Sequence, residues 1–356
     1  MNIAYVVPKL VKQGPVLVVY EIVKEMSRRG HTCIVYYFDP IEKYKDNVQE
    51  MPCAVKRIDI KEELPWEDLD VVHTHCARAE MYMYLHRKKG KSVRFITTIH
   101  SYIYEEQRFN HGALRSWLFT QFHLFLLKKA DLRVVLSKQA ENYYKKYFPK
   151  EPVTYIYNSR TVNYDAKLTP EERSEIEDFD KGSTAFLGVN ALLTPRKAVD
   201  VIINALPLLD SGYKLFVAGD GPALNDLKVL AEKNGVADRV HFAGYRKDAY
   251  RYIPYYDIFM MPSRSEGFPM ALTEAMAFKC NAVVSDIPIF KEFFTDEEMT
   301  FFKLDNPQDL ARAIQEAMVH PKGEKAYQKY MECYNPTILG DMYEKVYKGS
   351  DNPHDD

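Results

Sequence analysis

The chain has 356 residues, too many for one ordinary hydrophobic core and enough for two domains of roughly 150–200 residues each. Its 48 basic and 50 acidic side chains nearly cancel, so no global charge argues for a nucleic-acid partner, and none is expected. The five cysteines are widely spaced without a C-x-x-C pair, which fits reduced thiols better than a disulfide frame or a zinc site. Met1 leads directly into an apolar strand without the basic and cleavage regions of a signal peptide, and no apolar run reaches the ~20 residues that span a bilayer. The expectation is a cytoplasmic protein, held at most peripherally at the inner face of a membrane.

Short β-branched or aromatic runs alternate with helical stretches from the start: a strand at 3–7, a helix at 16–29 and a strand at 33–38. Further strands are predicted at 71–75, 95–100, 132–136 and 154–157, which makes one doubly wound α/β domain with a parallel sheet. The polar, acidic stretch 163–180 reads as a linker or surface helix. A second series follows, with strands at 185–189, 214–218, 240–242, 258–261 and 282–285 and helices at 199–209, 223–234 and 272–278. A final helix is expected at 336–348, then a polar, disordered tail at 349–356. Ligands of open parallel sheets bind beyond the carboxyl ends of the strands, so residues just after strands are the ones to inspect.

The segment richest in chemistry is 256–276, a buried strand, a loop with Gly267 and Pro269, and a helix. A helix start preceded by a glycine loop presents backbone N–H groups and a positive dipole end, which suits a phosphate. Gly267, Phe268, Met270 and Ala271 form that opening, while Pro269 has no N–H to offer. Glu266 and Glu274 lie eight positions apart around it, one placed for hexose hydroxyls and one for the ribose of a nucleotide sugar. Spacing alone also allows Glu266 to cap a turn and Glu274 to be a favourable charge near a helix start.

Ser263-Arg-Ser-Glu-Gly-Phe-Pro-Met-Ala-Leu-Thr-Glu-Ala-Met-Ala resembles the E-x(7)-E signature of the retaining, family-four GT-B glycosyltransferases. Lys214-Leu-Phe-Val-Ala-Gly-Asp-Gly-Pro, Val240-His-Phe-Ala-Gly-Tyr and Val283-Val-Ser-Asp resemble neighbouring strands of the same family, in the same order. The resemblance implies a GT-B architecture, with two facing Rossmann-like domains across a cleft. The acceptor-side domain would span 1–165, completed by the helix 336–348, and the nucleotide-sugar-binding domain 166–335. It implies that Glu266 contacts the transferred sugar and Glu274 the ribose. Tyr245, followed by Arg246, falls at the base-binding position. Gly219 and Gly221 read more simply as turn glycines permitting positive φ.

Catalysis of this kind requires fixed positive groups around the leaving diphosphate. The family pattern places an Arg after the first strand of the second domain and a Lys six residues on. Lys197 fills the second place, but Ala191 stands in the first. Losing such a contact costs about 2–4 kcal/mol of transition-state stabilisation unless another cation replaces it, and Arg196 and Arg264 are the nearest.

On the acceptor side, Gly14 resembles the family's phosphate-facing loop with its second glycine absent. His100 matches the position closest to the transferred sugar, His73 and His75 are less specific, and a core role for these histidines stays open. The resemblance implies a nucleoside diphosphate sugar donor, a glycan or polyprenyl-lipid-linked acceptor, retention of configuration, and no metal or other cofactor. It further implies a role in cell-surface polysaccharide synthesis. The basic segment 87–91 and the stretch 114–129 combine cations with aromatic and aliphatic residues and suit an anionic membrane surface; a buried helix with a solvated end suits the second equally. Two rival readings are a GT-B sugar-nucleotide epimerase and a catalytically silent nucleotide-binding homologue, the latter supported by Ala191.

Overall fold

The computed structural model describes the chain except residues 13, 88–91, 105–112 and 356. It divides into two compact units, Met1–Ser159 with Asn335–Asp356, and Arg160–Tyr334. The chain leaves the first unit a few residues earlier than expected. Residues 160–168 belong with the second because Arg160 and Tyr164 bond there, the Tyr164 hydroxyl donating to the carbonyl of Ala277 at 3.3 Å.

The first unit is built on seven strands: β1 (Asn2–Val7), β2 (Thr32–Tyr37), β3 (Ala54–Arg57), β4 (Val71–His75), β5 (Arg94–Ile99), β6 (Leu132–Val135) and β7 (Val153–Tyr155). All pair in parallel, in the order β3-β2-β1-β4-β5-β6-β7. The central strands are buried along nearly their whole length; β1 reads as a continuous apolar run, while β4 and β5 also bury His73, His75, Thr97 and Thr98. The order reverses between β1 and β4, where ligands of such sheets collect beyond the carboxyl ends.

The last helix, Pro336–Tyr347, packs on the first, Gly14–Arg28. Arg29 clamps the two, donating to Asp341 at 2.7 Å, Glu344 at 2.9 Å and the carbonyl of Thr337 at 2.9 Å. Gly340 makes room for it, since a Cβ there would lie 2.7 Å from the Arg29 guanidinium. The tail expected to be disordered instead folds back through residue 355. The His354 ring stacks on Tyr155 with centroids 4.0 Å apart, and Lys345 donates to the carbonyl of Pro353 at 3.2 Å. A polar composition concealed these specific partners.

The second unit has six strands: β8 (Ala185–Asn190), β9 (Tyr213–Ala218), β10 (Val240–Gly244), β11 (Ile258–Met261), β12 (Asn281–Ser285) and β13 (Thr300–Phe302). They pair in parallel in the order β10-β9-β8-β11-β12-β13. Leu187, Ile202, Leu215, Met260, Val283 and Ile314 lie in one core cluster. The acidic stretch carries a helix at Pro170–Asp180, begun by a reciprocal box: the Thr169 hydroxyl accepts from the Glu172 N–H, and the Glu172 carboxylate accepts from the Thr169 N–H. The helix expected over 199–209 is α-helical only at Val199–Ala205 and tightens to a 3₁₀ turn at Leu206–Leu208, because Pro207 supplies no N–H. Two parallel Rossmann-like sheets make this an α/β fold.

Candidate active site

In the second unit, β11 ends in a loop that turns at 262–269 into the helix Met270–Ala277. Glu266 sits in that loop and is buried. Its Oε1 accepts from Lys197 Nζ at 2.5 Å and from Ser263 Oγ at 2.6 Å, and its Oε2 accepts from Arg196 Nη1 at 3.2 Å. Burial alone would raise this carboxyl. The charges of Lys197 and Arg196, with hydrogen bonds from Lys197 and Ser263, outweigh burial and hold it below the ordinary Glu value. A buried carboxylate is thereby kept ionised at the carboxyl end of a central strand.

The cations reach it from the loop after β8. Arg196 and Lys197 occupy a one-turn 3₁₀ helix, Pro195–Lys197, and that turn is joined to the Glu266 loop by the Arg264 N–H donating to the Arg196 carbonyl at 2.8 Å. Arg196 also donates to the carbonyl of Ser265 at 2.7 Å. Of the two cations expected to stand in for the absent arginine, Arg196 therefore lies against Glu266. Arg264 does not: its Nη2 donates to Asp200 at 2.8 Å and its Nε to Asp305 at 2.8 Å. Its hydrogen bond to Asp200, opposed by burial and reinforced by the bond to Asp305 and the charges of both carboxylates, raises its pKa further and holds its charge in place.

After β9, Gly221 has the expected positive φ, 158°, whereas Gly219 is required for space alone. A Cβ on Gly219 would lie 1.9 Å from the Ala191 carbonyl oxygen, and one on Gly221 would lie 2.3 Å from that of Leu193. Close approach of two backbones demands glycine at both places. These glycines set the loop that carries Ala191 and leads to Lys197.

Glu274, on the helix after the loop, accepts from Arg160 Nε at 3.0 Å, with the two side chains 13% and 12% exposed. Sequence reasoning missed Arg160, since its partner lies far along the chain and nothing local distinguishes it. Phe268 turns its ring into the core, with centroids 5.1 Å from Phe293, so only its backbone faces the loop. Gly267, Met270 and Ala271 are part-exposed around the helix start, which has no side-chain cap. Tyr245 follows β10 and is exposed. Arg246 beside it is tied to Glu175 at 2.7 Å and 2.6 Å, so only the tyrosine is open to a ligand.

In the first unit, Gly14 is exposed at the start of its helix, and Gln13 before it lies outside the described residues. The three strand-end histidines join in one chain. His100 Nε2 and His75 Nδ1 are 2.8 Å apart, the rings of His75 and His73 lie 4.3 Å apart, and His73 Nδ1 meets the Tyr347 hydroxyl at 2.8 Å. His73 Nε2 is 2.8 Å from Thr98 Oγ1, which in turn meets the Tyr343 hydroxyl at 3.2 Å. Burial lowers the pKa of His73 and of His100 to about 3, and burial, then His73 and His100, takes His75 well below its ordinary value. All three are neutral near pH 7, so His100 can orient or donate a hydrogen bond but carries no charge.

Residues 13–161 match the family described as Glycosyltransferase Family 4, and residues 171–332 match Glycosyl transferases group 1. The chain belongs to the GT-B glycosyltransferases. The glycosyltransferase is 29% identical to the O-antigen biosynthesis glycosyltransferase WclY of Escherichia coli over 98% of each chain. It is 23% identical to the UDP-Gal:alpha-D-GlcNAc-diphosphoundecaprenol alpha-1,3-galactosyltransferase of Escherichia coli, over 62% of this chain and 59% of that relative. Its fold matches HepE of Anabaena, solved in complex with UDP and glucose, with a TM-score of 0.76 at 15% identity over 98% of this chain and 99% of the other. That likeness is one of fold. No helix among the described residues is long and apolar enough to cross a membrane.

Proposed function

We propose that this glycosyltransferase moves a sugar, with retention of configuration, from a nucleoside diphosphate donor to a glycan or polyprenyl-lipid-linked acceptor during polysaccharide synthesis on the cytoplasmic side of a membrane. The observation that carries the proposal is the buried Glu266 carboxylate, held ionised by Lys197, Arg196 and Ser263 beside an uncapped helix start. The names of the two Escherichia coli relatives support the polysaccharide and lipid-linked acceptor. The HepE complex supports a UDP-like donor.

In this reading the donor diphosphate draws Lys197 and Arg196 onto itself and frees Glu266 for the hydroxyls of the sugar. The bond from the anomeric carbon to the phosphate oxygen breaks, and the acceptor oxygen bonds to that carbon on the same face. The acceptor proton passes to the departing phosphate. Lys197 and Arg196 meet the charge that develops, and no metal or other cofactor has a part. Glu274 accepts from the ribose hydroxyls, Tyr245 lies against the base, and Gly14 gives a backbone N–H to the phosphates. His100, neutral, hydrogen-bonds the sugar. Turnover with candidate nucleotide sugars and lipid-linked acceptors, with the anomeric configuration of the product read by NMR, tests the proposal; an inverted product or free epimerised nucleotide sugar overturns it.

Ala191 favours a second reading, a silent homologue that binds nucleotide without transferring sugar. Nucleotide binding with no turnover on any acceptor would support it.

A further inference from the structure

The helix Ala113–Leu127 of the first unit is apolar on its outer face as well as on its inner one, where Leu124 and Leu127 are buried in the core. Its polar residues Ser116, Thr120 and His123, spaced four and three apart, are buried, whereas Leu114 is 72% exposed, Trp117 52% and Phe122 51%. Leu118 and Phe125 are exposed on the same strip. A soluble helix presents polar residues, not an apolar strip, on its outer face.

The orientation of the helix is anchored. His123 Nε2 bonds the buried Glu80 carboxylate of the helix Ala77–His86, and Glu80 also accepts from Thr97 Oγ1 at 2.8 Å. Rotating the apolar strip inward would strand this buried carboxylate without its partner, at a cost of several kcal/mol. The strip continues onto the neighbouring helix through Tyr84, whose ring lies 5.3 Å from that of Phe125.

We infer that this face is a docking surface for an anionic lipid bilayer. From Ser116 to Leu127 the helix carries no Asp, Glu, Lys or Arg, and its cations stand only at the ends, as Arg115 and as Lys128 with Lys129 just beyond. Neither lysine pairs with a carboxylate among the described residues; Lys129 instead lies over the rings of Tyr84 and Phe125, at 5.9 Å and 6.0 Å. A helix lying in the interface needs this arrangement, with rings among the acyl chains and ammonium groups level with the lipid phosphates. The strip offers almost no hydrogen-bonding group, which favours lipid over a protein surface. Residues 88–91 of the basic segment lie outside the described residues.

The face does not depend on the reaction, so it is tested with the full chain in the absence of donor and acceptor; failure here leaves the transferase reading intact, and the reverse. The protein should pellet with vesicles of phosphatidylcholine containing phosphatidylglycerol, poorly with phosphatidylcholine alone, and be released by ~0.5 M NaCl. Of the two tryptophans, Trp66 is buried, so a blue shift of emission on binding should come from Trp117 and vanish in Trp117→Phe. Trp117→Gln with Phe122→Gln, and separately Lys128→Glu with Lys129→Glu, should each weaken vesicle partition by about tenfold with unchanged circular dichroism. The charge pair keeps the test open if the aromatic pair misfolds. Equal recovery with neutral and anionic vesicles, or unchanged partition in both pairs, overturns the inference. So does self-association of the wild type, without vesicle binding, that the aromatic pair abolishes, because the face would then pair two copies of the chain.

Discussion

Arg160 holds Glu274 across 114 residues of chain, Nε to Oε1 at 3.0 Å, with both groups largely out of solvent. A carboxylate proposed to receive the ribose thus arrives already oriented and charged. Glu274→Gln should weaken free nucleoside diphosphate binding by about 1.5–3 kcal/mol, the range for a hydrogen bond to a charged group. Arg160→Ala should weaken it as well and lower the melting temperature. Calorimetric titration of both variants checks this; intact nucleotide affinity in Glu274→Gln would reassign the ribose contact.

Glu266 should behave differently because it competes with the donor for its own cations. Glu266→Gln should lower kcat far more than it changes nucleotide affinity, and affinity for free nucleoside diphosphate should hold or rise as Lys197 and Arg196 lose their counter-charge. Steady-state kinetics with binding titrations separates the two effects. Loss of nucleotide binding in this variant would place the ribose, not the sugar, at Glu266.

The three cations near the loop should separate too. Arg196→Ala should weaken nucleotide binding, and Lys197→Ala should damage turnover as well. Arg264→Ala should leave affinity nearly unchanged and cost about 0.5–1 kcal/mol of stability, since it serves Asp200 and Asp305. Equal losses of affinity in Arg196→Ala and Arg264→Ala would show that both cations reach the diphosphate.

The histidine chain predicts an acid limit. His73, His75 and His100 have folded pKa values lowered by burial, to about 3 for His73 and His100. Unfolded, each takes up a proton near pH 6.5, so between there and about pH 3 the unfolded state binds more protons and stability falls as pH falls. The slope is about 1.4 kcal/mol per pH unit for each histidine fully in that window. Glu266 adds to the loss at lower pH: its folded pKa is depressed, so its contribution is present above the ordinary Glu value and disappears as pH falls through the folded one. Urea unfolding at pH 7 and pH 5 should show the difference, and His75→Phe should flatten it; a stability constant over that range would mean the histidines are solvated.

Much of the architecture was legible because buried parallel strands are often continuous apolar runs, as in β1 and β11. The strand β3 escaped because all four of its residues are exposed, leaving no apolar signature at the sheet edge. Glu266, Glu274 and Lys197 were singled out by resemblance alone, and the structure places Lys197 on Glu266. Their actual partners were not legible, because Ser263 aside, the groups that bond them come from other loops. The chain from His100 to Tyr347 was hidden for the same reason, its members lying on two strands and a helix at opposite ends of the sequence.

The helix Pro336–Tyr347 gives the protein an order of assembly. Everything from Arg160 to Tyr334 is contiguous and is synthesised before Tyr343 and Tyr347 exist. Until those two hydroxyls arrive, Thr98 and His73 lack the partners they meet in the finished sheet, and Arg29 lacks Asp341 and Glu344. The unit begun first is completed last, so a chain cut short before its final helix retains every strand of both sheets but lacks the helix that finishes the first unit.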